Sequence, residues 1–267
     1  MTGRPKIACC NFIADAKHLR EFALDHEFDG VDWTLRPEDF PMNGTESLSL
    51  TRRISILRPL EIRYHLSFKL SDLGHRDKGE AERTVKYFNQ ACHLVSRLGG
   101  RFVTVHVGLD RDSMEEISWE ETLTNLAKLA ALGRILGIRV CLENLARGWT
   151  SRPDLYEKLI RKTDCWSTLD IGHAQVCASV RSQTYDVEDF ALPHPERILN
   201  AHVYHKETVE GHAPPAKIAD LYQRLLLLRR LPLCDWWVLE LRDEKSLLQT
   251  LDCVKGFLEA GSARAAM

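Results

Sequence analysis

Residues 119–144, WEETLTNLAKLAALGRILGIRVCLEN, contain the unit from which the fold is read. Leu123, Leu126, Ala127, Ala130 and Ala131 recur at i, i+3, i+4 spacing and give residues 119–136 an apolar helical face. Gly137 stands where that helix must stop, the usual place for a glycine just past a C-terminus. Residues 138–144 then form a short apolar run that closes on Glu143 and Asn144. A continuous apolar strand after an amphipathic helix implies a parallel sheet covered on both faces.

The same unit recurs in both directions. Strands are expected at 6–11, 30–35, 61–67, 101–108, 138–144, 165–170, 200–205 and 236–241. Helices are expected at 16–26, 46–56, 78–98, 119–136, 152–162, 186–197, 216–230 and 245–260. Gly99-Gly100 repeats the helix stop of Gly137, and Ser151-Arg152-Pro153 offers a helix start. Eight such units with no break in composition favour one α/β domain over residues 1–267, a single closed (β/α)₈ TIM barrel rather than a doubly wound sheet. The 267 residues match the ~250 typical of that fold.

Composition narrows the function. Thirty-six basic against 38 acidic residues give a net charge of −2, which argues against nucleic acid as a partner and leaves a small-molecule substrate. Eight cysteines lack CxxC pairs, and several sit in apolar runs (Cys141, Cys165, Cys234, Cys253), as reduced structural thiols of a cytoplasmic protein would. Cys9-Cys10 closes the first strand and could face a site. No secretory h-region and no run of ~18 apolar residues is present, so no membrane segment is expected. Oligomeric state is not legible; Trp236-Trp237 and Leu225–Leu228 read better as core than as interface.

The decisive residues are ionisable groups at strand ends: His65, His106, Glu143, Asp170, His202 and Glu240. Buried strands rarely carry such groups, because an unpaired charge there costs several kcal/mol. In a parallel barrel the C-terminal strand ends converge on one mouth. Three carboxylates with imidazoles suit a divalent metal such as Zn, Mn, Co or Fe, with one to three ions. Salt bridges from the glutamates to Arg242 or Arg147 are the blander reading, and a lone imidazole is often a satisfied structural group. Gly172 would allow a sharp turn that folds His173 back over the mouth, as a ligand or as a donor to a substrate oxygen. Strand alternation puts His202 and Tyr204 on one side and His205 on the other or in the loop beyond. Glu210-Gly-His212-Ala-Pro-Pro215 could clamp a further metal or gate the pocket. No Gly-x-Ser-x-Gly elbow, phosphate loop or dinucleotide fingerprint competes with a metal site.

These residues resemble the xylose isomerase-like TIM-barrel superfamily, which includes sugar isomerases and epimerases and the endonuclease IV-like enzymes. The resemblance rests on Tyr64-His65-Leu-Ser-Phe68, Val105-His106-Val-Gly108, Leu142-Glu143-Asn144, Leu169-Asp170-Ile-Gly-His173, Ala201-His202, Glu210-Gly-His212-Ala-Pro-Pro215 and Leu239-Glu240. It implies that Glu143, Asp170, His202 and Glu240 hold a shared metal, with His65, His106, His173, Glu210 and His212 as additional ligands. It implies Glu143, Glu240 and His173 as catalytic groups, and His65, His106, Arg147, His205 and Lys206 at the substrate. The first expectation is a metal-dependent isomerase or epimerase of a small sugar or polyol derivative, with Glu143 and Glu240 as acid and base across an enediolate. The alternative is a metal-dependent phosphodiesterase, acting on abasic DNA or, in better accord with the charge, on a small phosphodiester such as a corrinoid nucleotide loop. A catalytically silent barrel is the third reading. Two departures stand out: His205 replaces the usual Asp or Asn three after His202, and no Gly-x-Gly follows Pro215.

Overall fold

Eight parallel strands close on themselves: β1 (Lys6–Cys10), β2 (Gly30–Leu35), β3 (Glu61–Leu66), β4 (Phe102–Val105), β5 (Arg139–Glu143), β6 (Trp166–Asp170), β7 (Ile198–Val203) and β10 (Trp236–Leu239). They pair in chain order, and β10 closes the ring on β1. The structure, a computed structural model, describes residues 4–69, 72–111 and 113–265. Two short strands, β8 (Lys206–Thr208) and β9 (Gly211–Ala213), form an antiparallel hairpin beyond β7. The helices are α1 (Ala16–Asp25), α2 (Gly44–Ile56), α3 (Lys78–Arg97), α4 (Trp119–Ile135), α5 (Pro153–Thr163), α6 (Ile171–Val176), α7 (Ala178–Arg181), α8 (Tyr222–Arg230) and α9 (Glu244–Ala265). None of the described helices is long and apolar enough to cross a membrane.

Local chemistry sets these boundaries. Asp15, Asn43, Asp77 and Ser118 each accept a hydrogen bond from the N–H three residues on, capping α1 to α4. Each such cap contributes on the order of 1 kcal/mol. Gly137 takes φ +72° after α4, a conformation that a side chain would strain. Leu126, Leu129 and Ala130 of α4 then pack inward with Val140 and Leu142 of β5 in the continuous apolar layer between sheet and helices.

The barrel interior is polar below the mouth. Thr104 of β4 and Thr168 of β6 meet across β5 at 2.9 Å, and Asn200 donates to Thr168 at 3.1 Å. Arg63 donates to Asn200 at 2.5 Å and lies over the rings of Phe102 and Trp236. Trp236 and Trp237 are both fully buried. All eight cysteines are free thiols, seven of them buried. Cys10 donates to the Leu241 carbonyl, and burial pushes its thiol up to about 12, which leaves it no nucleophile at neutral pH.

Three expectations are corrected. The helix expected at 186–197 is two 3₁₀ turns, Val187–Phe190 and Pro195–Arg197. Pro193 and Pro195 remove two N–H donors and bar the preceding residues from the helical region. Helix α8 begins only at Tyr222, after a 3₁₀ turn at Ile218–Asp220 closed by the Asp220 carboxylate on the Ala216 and Lys217 N–H groups. Strand β7 ends at Val203, and the hairpin β8–β9 was not foreseen, since three-residue strands carry no readable alternation.

Candidate metal centre

Glu143, the last residue of β5, is the hub of the mouth. Its Oε1 lies 3.1 Å from His202 Nδ1 and 3.5 Å from His173 Nδ1. Its Oε2 lies 3.0 Å from His106 Nε2 and 3.5 Å from His65 Nε2. One carboxylate therefore meets four imidazoles, and it is buried among them. Glu240, just past β10, brings Oε2 to 3.1 Å from the same His202 nitrogen.

Asp170 ends β6 and caps α6. Its Oδ1 accepts from the His173 N–H at 2.7 Å, so the three-residue spacing seats the His173 ring beside it, Nδ1 3.1 Å from Oδ2. Asn144 clamps the two strand ends together: its amide donates to the Asp170 carbonyl and its oxygen accepts the Asp170 N–H. Gly172 makes no sharp turn. It lies in α6, where a Cβ would sit 2.1 Å from the ring of Tyr204.

Donor atoms cluster at metal-binding distances. Atoms of Glu143, Asp170, His202 and Glu240 all lie within 4.8 Å of one another. The same holds for His65, His106 and Glu143, for His173, Glu207 and His212, and for Asp32, His65 and His202. Glu240 Oε2 is buried with no aligned hydrogen-bond donor. His202 Nδ1 stands 3.1 Å from this oxygen without the alignment of a hydrogen bond, and a cation among these donors would complete its pairing. The mixed oxygen and nitrogen set, without thiolate, fits a divalent ion.

The charges of the group are strongly coupled. Burial alone would lower His202, but Glu143 and Glu240 hold it well above the usual histidine range. Burial likewise opposes charge on His173, yet Asp170 and Glu143 raise it to about 10. Burial disfavours ionised Glu143, but His202 and His106 draw it well below the carboxylate norm; His202 and His212 do the same for Glu240. Without a metal, His202 and His173 are the imidazoles that hold protons most strongly.

His65, His106, Glu143, His173, His212 and Glu240 open into a cavity of about 370 Å³ whose rim includes Lys69, Glu210 and Arg242; His202 and Asp170 lie fully buried beneath it. A larger groove of about 930 Å³, lined by Arg101, Arg134, Arg139 and Arg197, lies at the opposite, strand-start end of the barrel. It holds none of the imidazoles.

Residues 21–255 match the family model described as xylose isomerase-like TIM barrel. The chain belongs to that family. The crystal structure of a D-tagatose 3-epimerase-like protein superposes with a TM-score of 0.75 at 16% identity, covering 97% of this chain and 99% of that one. Endonuclease IV from Thermus thermophilus superposes with a TM-score of 0.68 at 16% identity, covering 96% and 100%. An uncharacterized protein of Methanocaldococcus jannaschii, MJ0008, is 28% identical over 171 residues, 62% of this chain and 71% of its own length.

In this xylose isomerase-like barrel the structure brings together His65, His106, Glu143, Asp170, His173, His202, His212 and Glu240. Glu210 is exposed at the hairpin turn, and Glu207 stands nearer the donors. Antiparallel pairing sets Glu207 across from His212, and its carboxylate reaches 3.7 Å from His173 Nε2. His205, Arg147 and Lys206 do not line the cavity. His205 turns to Arg224, whose guanidinium reaches its Nδ1 at 3.3 Å and donates to its carbonyl. Arg147 and Lys206 are exposed on loop and hairpin. Sequence reasoning missed Asp32, Glu207 and Tyr204. An acid inside the apolar run Gly30–Leu35 was the available signal for Asp32, whose Oδ2 lies 3.4 Å from His65 Nδ1.

Proposed function

We propose that this protein is a divalent-metal-dependent hydrolase of small phosphodiesters, holding two or three ions in its barrel mouth. One observation carries the reading: both oxygens of Glu143 are shared between separate donor groups, His65 and His106 on one side, His173 and His202 on the other. His65, His106 and Glu143 would hold one ion; Glu143, Asp170, His202 and Glu240 a second; His173, Glu207 and His212 a third. Such ions supply Lewis-acid stabilisation of phosphoryl charge and a hydrolytic nucleophile at neutral pH.

The protein's own groups do the rest. Asn144 pins the Asp170 backbone and the His173 N–H holds Asp170 Oδ1, so this donor is oriented toward the mouth before a substrate enters. Arg242 at the rim supplies a positive group for the anionic ester. A cavity of about 370 Å³ admits a small ester more readily than a duplex, in keeping with a net charge of −2.

The isomerase or epimerase reading stands second. It is supported by Glu143 and Glu240 flanking His202, each 3.1 Å from its Nδ1, as an acid–base pair across one ion would. Against it, Glu143 has no oxygen free of imidazoles to offer a carbon acid. The test is turnover of bis(4-nitrophenyl) phosphate and a panel of natural small diesters, a corrinoid nucleotide loop among them, by zinc- or manganese-loaded protein. Chelator-sensitive hydrolysis is expected. Inert diesters together with solvent-deuterium incorporation into a ketose would transfer the assignment to the isomerase reading.

A further inference from the structure

Tyr204 stands between two of the donor groups and touches a member of each. Its hydroxyl donates to Asp170 Oδ2 at 3.0 Å. Its ring lies on the His212 imidazole with centroids 3.9 Å apart and planes 8° from parallel. The residue is fully buried.

The two contacts fix different things. Asp170 Oδ1 already accepts the His173 N–H, so the Tyr204 hydroxyl sets the remaining rotation of the carboxylate and leaves lone pairs on both oxygens. His212 bonds through Nδ1 to the Glu240 carbonyl at 2.7 Å. The tyrosine face restricts the tilt of the imidazole, and the Nδ1 bond restricts its swing. The ring has room only because Gly172 lacks a side chain. Behind it, Arg224 donates to the Ile171 and His205 carbonyls and ties the start of α6 to the residue that follows the tyrosine.

We infer that Tyr204 is a positioning residue that couples the Asp170 and His212 metal groups, so that an ion bound at one group preorganises the other. The inference rests on the proposed metal centre. Partners that orient metal ligands are typically worth 10–100-fold in metal affinity. Positive cooperativity between the two groups follows, because the group ordered first lowers the cost of ordering the second.

The experiment is cobalt titration of the full chain, read by the visible d–d spectrum and by competition with a chelator. Wild-type protein should take up cobalt cooperatively. Tyr204→Phe keeps the stack and removes the hydroxyl; it should weaken the Asp170 group 10–100-fold and shift its bands. Tyr204→Leu should in addition lose the ion at His173, Glu207 and His212. Gly172→Ala, which displaces the ring without touching a donor, should reproduce the Tyr204→Leu spectrum. Wild-type spectrum and affinity retained in Tyr204→Phe would overturn the inference while leaving the metal centre intact. A wild-type chain that binds no cobalt would overturn the metal centre itself, and this coupling with it. Melting of the metal-free variants reports folding separately, so a spectral change in a chain that melts like wild type is not a packing defect.

Discussion

The Nε2 atoms of His65 and His106 face each other 3.1 Å apart over the carboxylate of Glu143. On the proposed function, these two buried imidazoles, presenting the same nitrogen to one acid, would share a cation. His106→Ala should therefore cut diester hydrolysis by more than about 100-fold. Asp32→Asn, which loosens the hold on His65 Nδ1, should cost 10–100-fold in affinity for the ion at that group, measured by chelator competition. An epimerase using only the Glu143, Asp170, His202 and Glu240 group would keep its affinity in both variants.

The hairpin offers a direct choice between two acids. Glu207→Gln should weaken the ion held with His173 and His212, because Glu207 pairs with His212 across β8–β9 and its carboxylate reaches 3.7 Å from His173 Nε2. Glu210→Gln, at the exposed turn, should leave ion binding within twofold. Isothermal titration of both variants reads the difference. The opposite ranking would show that the sequence spacing Glu-x-His, and not the hairpin pairing, governs the third group.

Metal binding should release protons. His202 stands well above, and His173 near 10 against an ordinary 6.5, so in metal-free protein both are charged at neutral pH. A cation must displace those protons, and affinity for zinc should rise with pH from 6 to 8. The same shifts set stability without metal. The raised histidines contribute fully below their unfolded value of about 6.5 and lose that contribution as pH climbs through their folded values. The depressed Glu143 and Glu240 contribute above about 4.5 and lose it as pH falls through their folded values. Metal-free protein should thus melt highest between about pH 4.5 and 6.5, and metal should move the maximum upward. Titrating melting temperature against pH with and without zinc checks both signs.

Beneath the site, Tyr156 of α5 is a structural control. Its buried hydroxyl bonds the Leu142 carbonyl at 2.9 Å, Ser167 Oγ at 2.6 Å and the Thr168 carbonyl at 3.1 Å, pinning β5 to β6. Tyr156→Phe should cost about 1–3 kcal/mol, since buried acceptors lose their donor. Denaturant unfolding should register that loss while ion binding stays unchanged.

The barrel was legible because short runs rich in apolar residues alternate along the chain with helices that keep a 3.6-residue period. Glu143, Asp170 and Glu240 were legible because an acid ending such a run has no other comfortable place. What failed depended on contacts between elements distant from one another. Glu207 gained its position from a pairing of two three-residue strands, too short to leave a pattern. Gly172 was read as a turn, whereas its role is to admit a ring from β7's far end. The helix expected at 186–197 overlooked what Pro193 and Pro195 do to a backbone whose polarity alone looked helical.

The number of ions bound per chain tests the account's central claim most directly. Zinc-loaded protein, freed of excess metal by gel filtration and analysed for zinc against protein concentration, should carry two to three ions, falling by one in His106→Ala. A single ion per chain, unchanged in that variant, would contradict it.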